Sequence, residues 1–127
     1  MDIEITATGE ISVVRIDGNI LHEHVNVFKS VLLDLVNQGK IKMVLDFGSL
    51  LYISSLCLAA LIEIKKRVNE LGGDLKLSHV NNVVQNLLES TTLIRKIEVF
   101  PDADAAVKSF GDPSAIPFVQ TFRGKVS

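Results

Sequence analysis

One cysteine, no tryptophan and three prolines stand among the 127 residues of this chain. A single thiol cannot close an internal disulfide, and without a CxxC pair or a Cys/His cluster there is no zinc motif. A disulfide scaffold is excluded, and a reducing, cytoplasmic setting is expected. An excess of charge of one sign is also missing. Thirteen basic and 15 acidic residues leave a formal net charge of -2, which gives no electrostatic basis for binding nucleic acid or an anionic membrane. The longest apolar run, around residues 50 to 62, is broken by serines and is too short to span a bilayer. The opening MDIEITATGE has acids where a secretory leader has bases followed by an apolar stretch, so no signal peptide is expected. No GxGxxG or Walker-type GKS/T marks a nucleotide site, and no cofactor or metal is implied.

What is present is an ordinary globular composition, 47% hydrophobic and 22% charged, in a chain long enough to bury one core. Ile3, Ile5 and Ala7 alternate, and residues 11–16 are rich in β-branched side chains, with Thr8-Gly9-Glu10 between them, which predicts a β-hairpin. After the Asp17-Gly18-Asn19 break, Val25, Phe28, Leu32, Leu35 and Val36 form a helical stripe that predicts a first helix over residues 22–38, closed by Gly39. Residues 41–47 are short and apolar, as a strand covered on both faces is. A second helix begins near Leu56 and ends at Gly72-Gly73, with Leu58, Leu61, Ile62, Val68 and Leu71 as its apolar positions and Glu63/Arg67 and Lys66/Glu70 as pairs one turn apart. Residues 74–78 alternate as a strand. Val80, Val83, Val84, Leu87 and Leu88 mark a third helix, residues 96–100 a fifth strand, and Ala103, Ala106, Val107 and Phe110 a short last helix. The order β-β-α-β-α-β-α-β-α predicts a single layered α/β domain over residues 1–110, with a mixed, mainly parallel five-stranded sheet and about four helices. Residues 111–127 form an extension whose order the pattern leaves open.

The functional question concentrates in VLDFGSLLYISSLCLAALI, residues 44–62, where Ser54, Ser55 and Cys57 interrupt an apolar segment. If a strand ends near Phe47 and a helix starts near Leu56, the serines lie at a helix N-terminus. The first amides of a helix lack intrahelical partners, so a serine hydroxyl there can accept a hydrogen bond, and the same end favours an added phosphate. Two readings follow: either serine is a cap, or Ser55 is a phosphoacceptor.

Other candidates carry less. Cys57 has no histidine in a recognisable triad arrangement, which weighs against a small Ser/Cys hydrolase and favours a structural thiol. His22 and His24 are two apart, a poor chelate on a helix, and are expected as solvated residues at a helix start. His79 is expected at the surface or at a cap. Asp46-Phe47-Gly48 matches a kinase tripeptide without any of its companion motifs, so Asp46 is expected simply to end a strand.

The run LDFGSLLYISSLCLAALIEIKKRVNELGGDLKLSHV, with Gly18 upstream and NVVQNLLESTTLIRKIEVFPDADAAVKSF downstream, resembles the STAS domain of bacterial anti-sigma-factor antagonists over about residues 3–110. YISSLCL followed by KKRVNELGGDLKL is the most specific part. The resemblance places the phosphorylated serine of the family on Ser55 and puts Ser54 where many members have Asp. Cys57 stands where Gly is usual and Leu56 where a small residue is common. It implies a non-enzymatic protein that binds an anti-sigma factor, itself a serine kinase of the GHKL ATPase type. Phosphorylation of Ser55 would switch it off, and a PP2C-type phosphatase would reset it. The implied contact surface is Tyr52, Ser54, Ser55, Leu56, Cys57 and Leu58 with Asp17, Gly18 and Asn19, and with Lys65, Lys66 and Arg67 along its rim. The alternative is a STAS scaffold that docks constitutively in a larger assembly, such as a lipid-transport or chemotaxis complex, a reading that Leu56 and Cys57 favour. The oligomeric state is left open.

Overall fold

A computed structural model describes residues 1–48, 50–89 and 97–110. Strands β1 (Asp2–Thr8) and β2 (Ile11–Asp17) form the antiparallel hairpin, with Gly9 turning the chain at a positive φ. A 3-10 turn at His22–His24 leads into α1 (Val25–Asn37), followed by β3 (Lys42–Asp46), α2 (Ser55–Glu70), β4 (Asp74–Ser78), α3 (Asn82–Glu89), β5 (Val99–Phe100) and α4 (Ala103–Lys108). The strands lie side by side in the order β1-β2-β3-β4-β5, and every pair after the hairpin is parallel. This is the mixed, mainly parallel α/β sheet with four helices that the hydrophobic periodicities predict.

Three boundaries differ from expectation. The first helix is split, because His24 turns back on the chain: the Leu21 N–H donates to His24 Nδ1 (3.2 Å) and the His24 N–H to the Leu21 carbonyl (2.8 Å). The fifth strand is only two residues long, and the expected start at Lys96 lies outside the described residues, as does the extension 111–127. The last helix stops at Lys108, where the Ser109 hydroxyl donates back to the Ala106 carbonyl at 2.6 Å.

The core sits between one face of the sheet and the helices. From α1 it takes Val25, Phe28, Leu32, Leu35 and Val36, the stripe the sequence shows. From α2 it takes Cys57, Ala60, Leu61, Ile64 and Val68, which shares Leu61 and Val68 with the expected stripe and is rotated toward Ala60 and Ile64. Leu58 and Ile62 are only partly buried, and Leu71 is half exposed. Two apolar faces compete on this helix, and the one carrying Ala60 faces inward, where a small side chain lets the helix approach its neighbours closely. Glu63 accordingly meets Lys29 of α1 (2.8 Å) rather than Arg67 on its own helix.

The opposite face of the sheet is covered in part by α4, and it buries a charge. Lys76 of β4 donates to the carbonyl and hydroxyl of Ser109 (3.2 and 2.8 Å), pairs with Glu98 (3.0 Å) and lies 4.4 Å from the centre of the Phe110 ring. The buried ammonium is thus satisfied by polar partners and an aromatic face, and it fastens the end of α4 to the sheet.

Helix α2 is closed by two glycines with separate duties. Gly72 adopts φ +90° and donates to the Asn69 carbonyl (3.1 Å), while the Gly73 N–H donates to Val68 (2.7 Å), the paired bonds of a Schellman end. At Gly73 an added Cβ would fall 2.0 Å from the Ile41 carbonyl oxygen, because the chain there passes against β3. Gly73→Ala is expected to cost at least about 1–3 kcal/mol through overpacking. Gly72→Ala should cost about 1–2 kcal/mol through the left-handed backbone alone. Urea unfolding midpoints at unchanged slope measure both.

Candidate functional site

The β3–α2 connection crosses the carboxyl ends of the parallel strands, and three polar side chains hold it there. Asp46, buried at the end of β3, accepts the Gly48 N–H at 3.1 Å and meets His79 Nδ1 at 2.9 Å. Asn19, from the loop after β2, accepts the Leu51 N–H at 2.9 Å. Asn81, from the loop after β4, donates to the Leu50 carbonyl at 3.0 Å while accepting the Val84 N–H at 2.8 Å to cap α3. The connection is therefore clamped between its two neighbours, and Leu50 and Ile53 are buried beneath it.

With Leu50 and Ile53 turned inward, Leu51 and Tyr52 turn outward, 66% and 57% exposed. Helix α2 then begins. Ser54 is its N-cap, in extended conformation, and its hydroxyl accepts the Cys57 N–H at 3.2 Å. Ser55 is the first helical residue and is exposed; Leu56 beside it is 46% exposed. Leu21, two residues from the Asn19 clamp, is also half exposed. Ser55 thus belongs to a solvent-facing edge studded with large apolar side chains.

The structure decides between the two serines. Capping belongs to Ser54, and the Ser55 hydroxyl is left outside that job. Cys57 is fully buried in the core stripe of α2, as a structural thiol is, so of the expected contact residues it adds no side chain to the surface: one residue past Leu56, the helix has rotated about 100° inward. Leu58 is partly buried against the core. Asp17 is at the surface near Arg15 (3.9 Å), Gly18 has φ +86°, and Asn19 is bonded to the loop. The basic residues expected on the rim begin ten residues beyond Ser55, about 15 Å along the helix, and Lys65 pairs there with Asp74.

Burial pushes the Cys57 thiol up to about 12, so the nucleophilic thiolate is disfavoured. Among the described residues no group of three or more His, Cys, Asp or Glu is placed to hold a metal, and no helix is long and apolar enough to cross a membrane. His79 is at the surface, as expected, and is also the partner of Asp46, at a left-handed φ of 57°. Thirty-three residues separate the two, so no local pattern announces the pair. Asn81 has a local signal as a helix cap, but its bond to Leu50 has none.

A family model described as the STAS domain matches residues 2–106. The chain belongs to the STAS-domain family. No curated protein matches it. Among solved structures, this STAS domain is similar to an anti-sigma-factor antagonist of Thermotoga maritima described as putative (22% identity, 84% of this chain and 92% of that one, TM-score 0.75). It is similar also to the Bacillus cell-fate determinant SpoIIAA in its phosphorylated form (14% identity, 87% and 100%, TM-score 0.69). A third likeness is to a chain of the stressosome, described as a signal integration and transduction hub (22% identity, 89% and 100%, TM-score 0.70). At these identities the likeness is one of fold.

The two serines of this STAS domain are separable by stability. Ser54→Ala is expected to cost about 1 kcal/mol by removing the cap, whereas Ser55→Ala should stay within about 0.5 kcal/mol; chemical denaturation of the two variants checks the order. Cys57 makes a second prediction. Its folded pKa lies above the ordinary 9.0, so the stability contributed by the neutral thiol is complete below about pH 9 and is lost as pH rises toward about 12. The stability advantage of the wild type over Cys57→Ala should shrink by about 1.4 kcal/mol by pH 10, and a thiol reagent should label Cys57 only after unfolding.

Proposed function

We propose that this STAS domain is an anti-sigma-factor antagonist that works by partner switching, with Ser55 as its phosphoacceptor. The observation that carries the reading is the division of labour at the start of α2: Ser54 caps the helix, and Ser55 is exposed among Leu51, Tyr52 and Leu56. A hydroxyl that is free of structural duty and set in an apolar rim suits a surface whose affinity is controlled by one covalent change.

In the unmodified state the rim docks an anti-sigma factor that is also a serine kinase of the GHKL type, and burial of the three apolar side chains supplies the driving force. The kinase transfers the terminal phosphoryl group of ATP to Ser55 Oγ, releasing ADP. The added charge of about -2 then lies inside an apolar contact, where repulsion and desolvation oppose docking. The same charge sits beside the free amides of the first turn of α2, which welcome a phosphate, so the fold survives. A PP2C-type phosphatase restores the serine. The protein is the substrate of an enzyme in this scheme, not an enzyme itself, and it works in the cytoplasm.

The fold likeness to the phosphorylated Bacillus determinant supports this reading. The likeness to a stressosome chain, together with the apolar Leu56 at the rim, favours a second one, constitutive docking in a larger assembly. Mass spectrometry of the protein recovered from its host, with and without stress, distinguishes them. Switching predicts phosphate on Ser55 that changes with conditions, and a Ser55→Asp variant that melts like the wild type but loses its partner. A peptide fully covered and unmodified under every condition would sink the switch in favour of the docking scaffold.

A further inference from the structure

Strand β1 is the edge of the sheet, and apart from the exposed carboxylates of Asp2 and Glu4 it lacks the usual devices that keep an edge from pairing. All seven of its residues are paired to β2 on one side in unbroken register, from Asp2 opposite Asp17 to Thr8 opposite Ile11. On the other side no backbone bond is made among the described residues. The strand DIEITAT contains no proline, no lysine, no glycine and no bulge, which are the features that commonly blunt an edge. Nearly all of it is exposed, and Ile5, at its centre and on the face that carries the core, is 45% exposed.

We propose that two copies of this chain pair antiparallel through β1, about a two-fold axis at Ile5, to make one continuous ten-stranded sheet. The sequence of the strand is complementary to itself in that register. Ile5 meets its own copy, Ile3 meets Ala7, Glu4 meets Thr6 and Asp2 meets Thr8, so all seven residues are paired and no two carboxylates face each other. Sliding by two residues in one direction sets Glu4 opposite Glu4 and leaves Thr8 unpaired; sliding in the other sets Ile5 opposite Ala7 and loses the isoleucine pair. A slip of one residue is ruled out because it would turn the apolar face of one copy against the polar face of the other.

The consequence is an apolar stripe, Ile3, Ile5 and Ala7 from both copies, running across the junction and covering the half of Ile5 that a single copy leaves in water. Cross-strand pairs of β-branched residues are the favourable units of such a junction. The pairing uses backbone groups of β1 and leaves the Ser55 edge, on the β3–α2 connection, open in both copies. The dimer therefore presents two docking surfaces joined in a fixed geometry, and a two-headed partner would gain from the linkage. The inference does not rest on Ser55 being phosphorylated.

Sedimentation equilibrium of the full chain over a range of concentrations tests it first, and a reversible monomer–dimer equilibrium is expected. Thr6→Glu sets an introduced carboxylate opposite Glu4 twice across the axis and should raise the dissociation constant about 2- to 30-fold. Glu4→Lys combined with Thr6→Glu turns both repulsions into attractions and should restore association. For direct register, Ile5→Cys should form an intermolecular disulfide under mild oxidation. Glu4→Cys should not, since its copies would lie about 8 Å apart, beyond the reach of the bond. The buried Cys57 does not compete for either thiol. A full chain that stays monomeric at every concentration, a dimer indifferent to Thr6→Glu, or equal cross-linking of the two cysteine variants would each overturn the proposal. Circular dichroism of each variant separates lost pairing from lost fold.

Discussion

The burial of one stripe of α2 against the sheet governs what this protein offers to its surroundings. Cys57, Ala60, Leu61, Ile64 and Val68 recur at helical spacing, and once they face the core the rotation of the helix is fixed. At about 100° per residue, turning Cys57 inward turns Leu56 and Ser55 outward. The cysteine that first looks like a chemical group is thus the anchor that exposes the serine two positions earlier. Its high thiol pKa is the electrostatic mark of the same burial.

Rotation alone would not hold a surface in shape, and the remaining constraint is polar. The loop before α2 spans the ends of the parallel strands, where backbone groups run out of ladder partners. Asn19 and Asn81 supply substitutes from either side, and Asp46 receives the Gly48 amide from below. Each contact gives a backbone group of the loop a partner where the strand ladders end. The outward-facing Leu51 and Tyr52 are held ready at little further entropic cost, which is what a docking surface needs.

The two edges of the molecule then acquire different characters. At the carboxyl ends of the strands lies an apolar rim around a modifiable hydroxyl. Along β1 lies a row of backbone groups with a sequence that matches itself. The first suits recognition that can be cancelled by charge; the second suits association that depends on hydrogen-bond register.

Local pattern carried much of this. The α1 stripe, the hairpin, the succession of strands and helices and the glycine closure of α2 are all readable from residue spacing, because each depends on neighbours within a few positions. The segment carrying Ser55 was legible too, from two serines ahead of an apolar run. What the spacing left open was decided by packing at long range. Which of two apolar faces of α2 goes inside depends on the helix and strands it meets, and that choice set Ala60 and Ile64 in the core ahead of Leu58 and Ile62. Which serine caps depends on where the helix starts, and that follows from the loop clamps of Asn19 and Asn81. The Asp46–His79 pair joins residues that only the parallel pairing of β3 and β4 brings together. The sequence by itself determined the elements and the segment that matters; the tertiary structure decided which atoms of that segment face water, because burial is a property of neighbours distant in the chain.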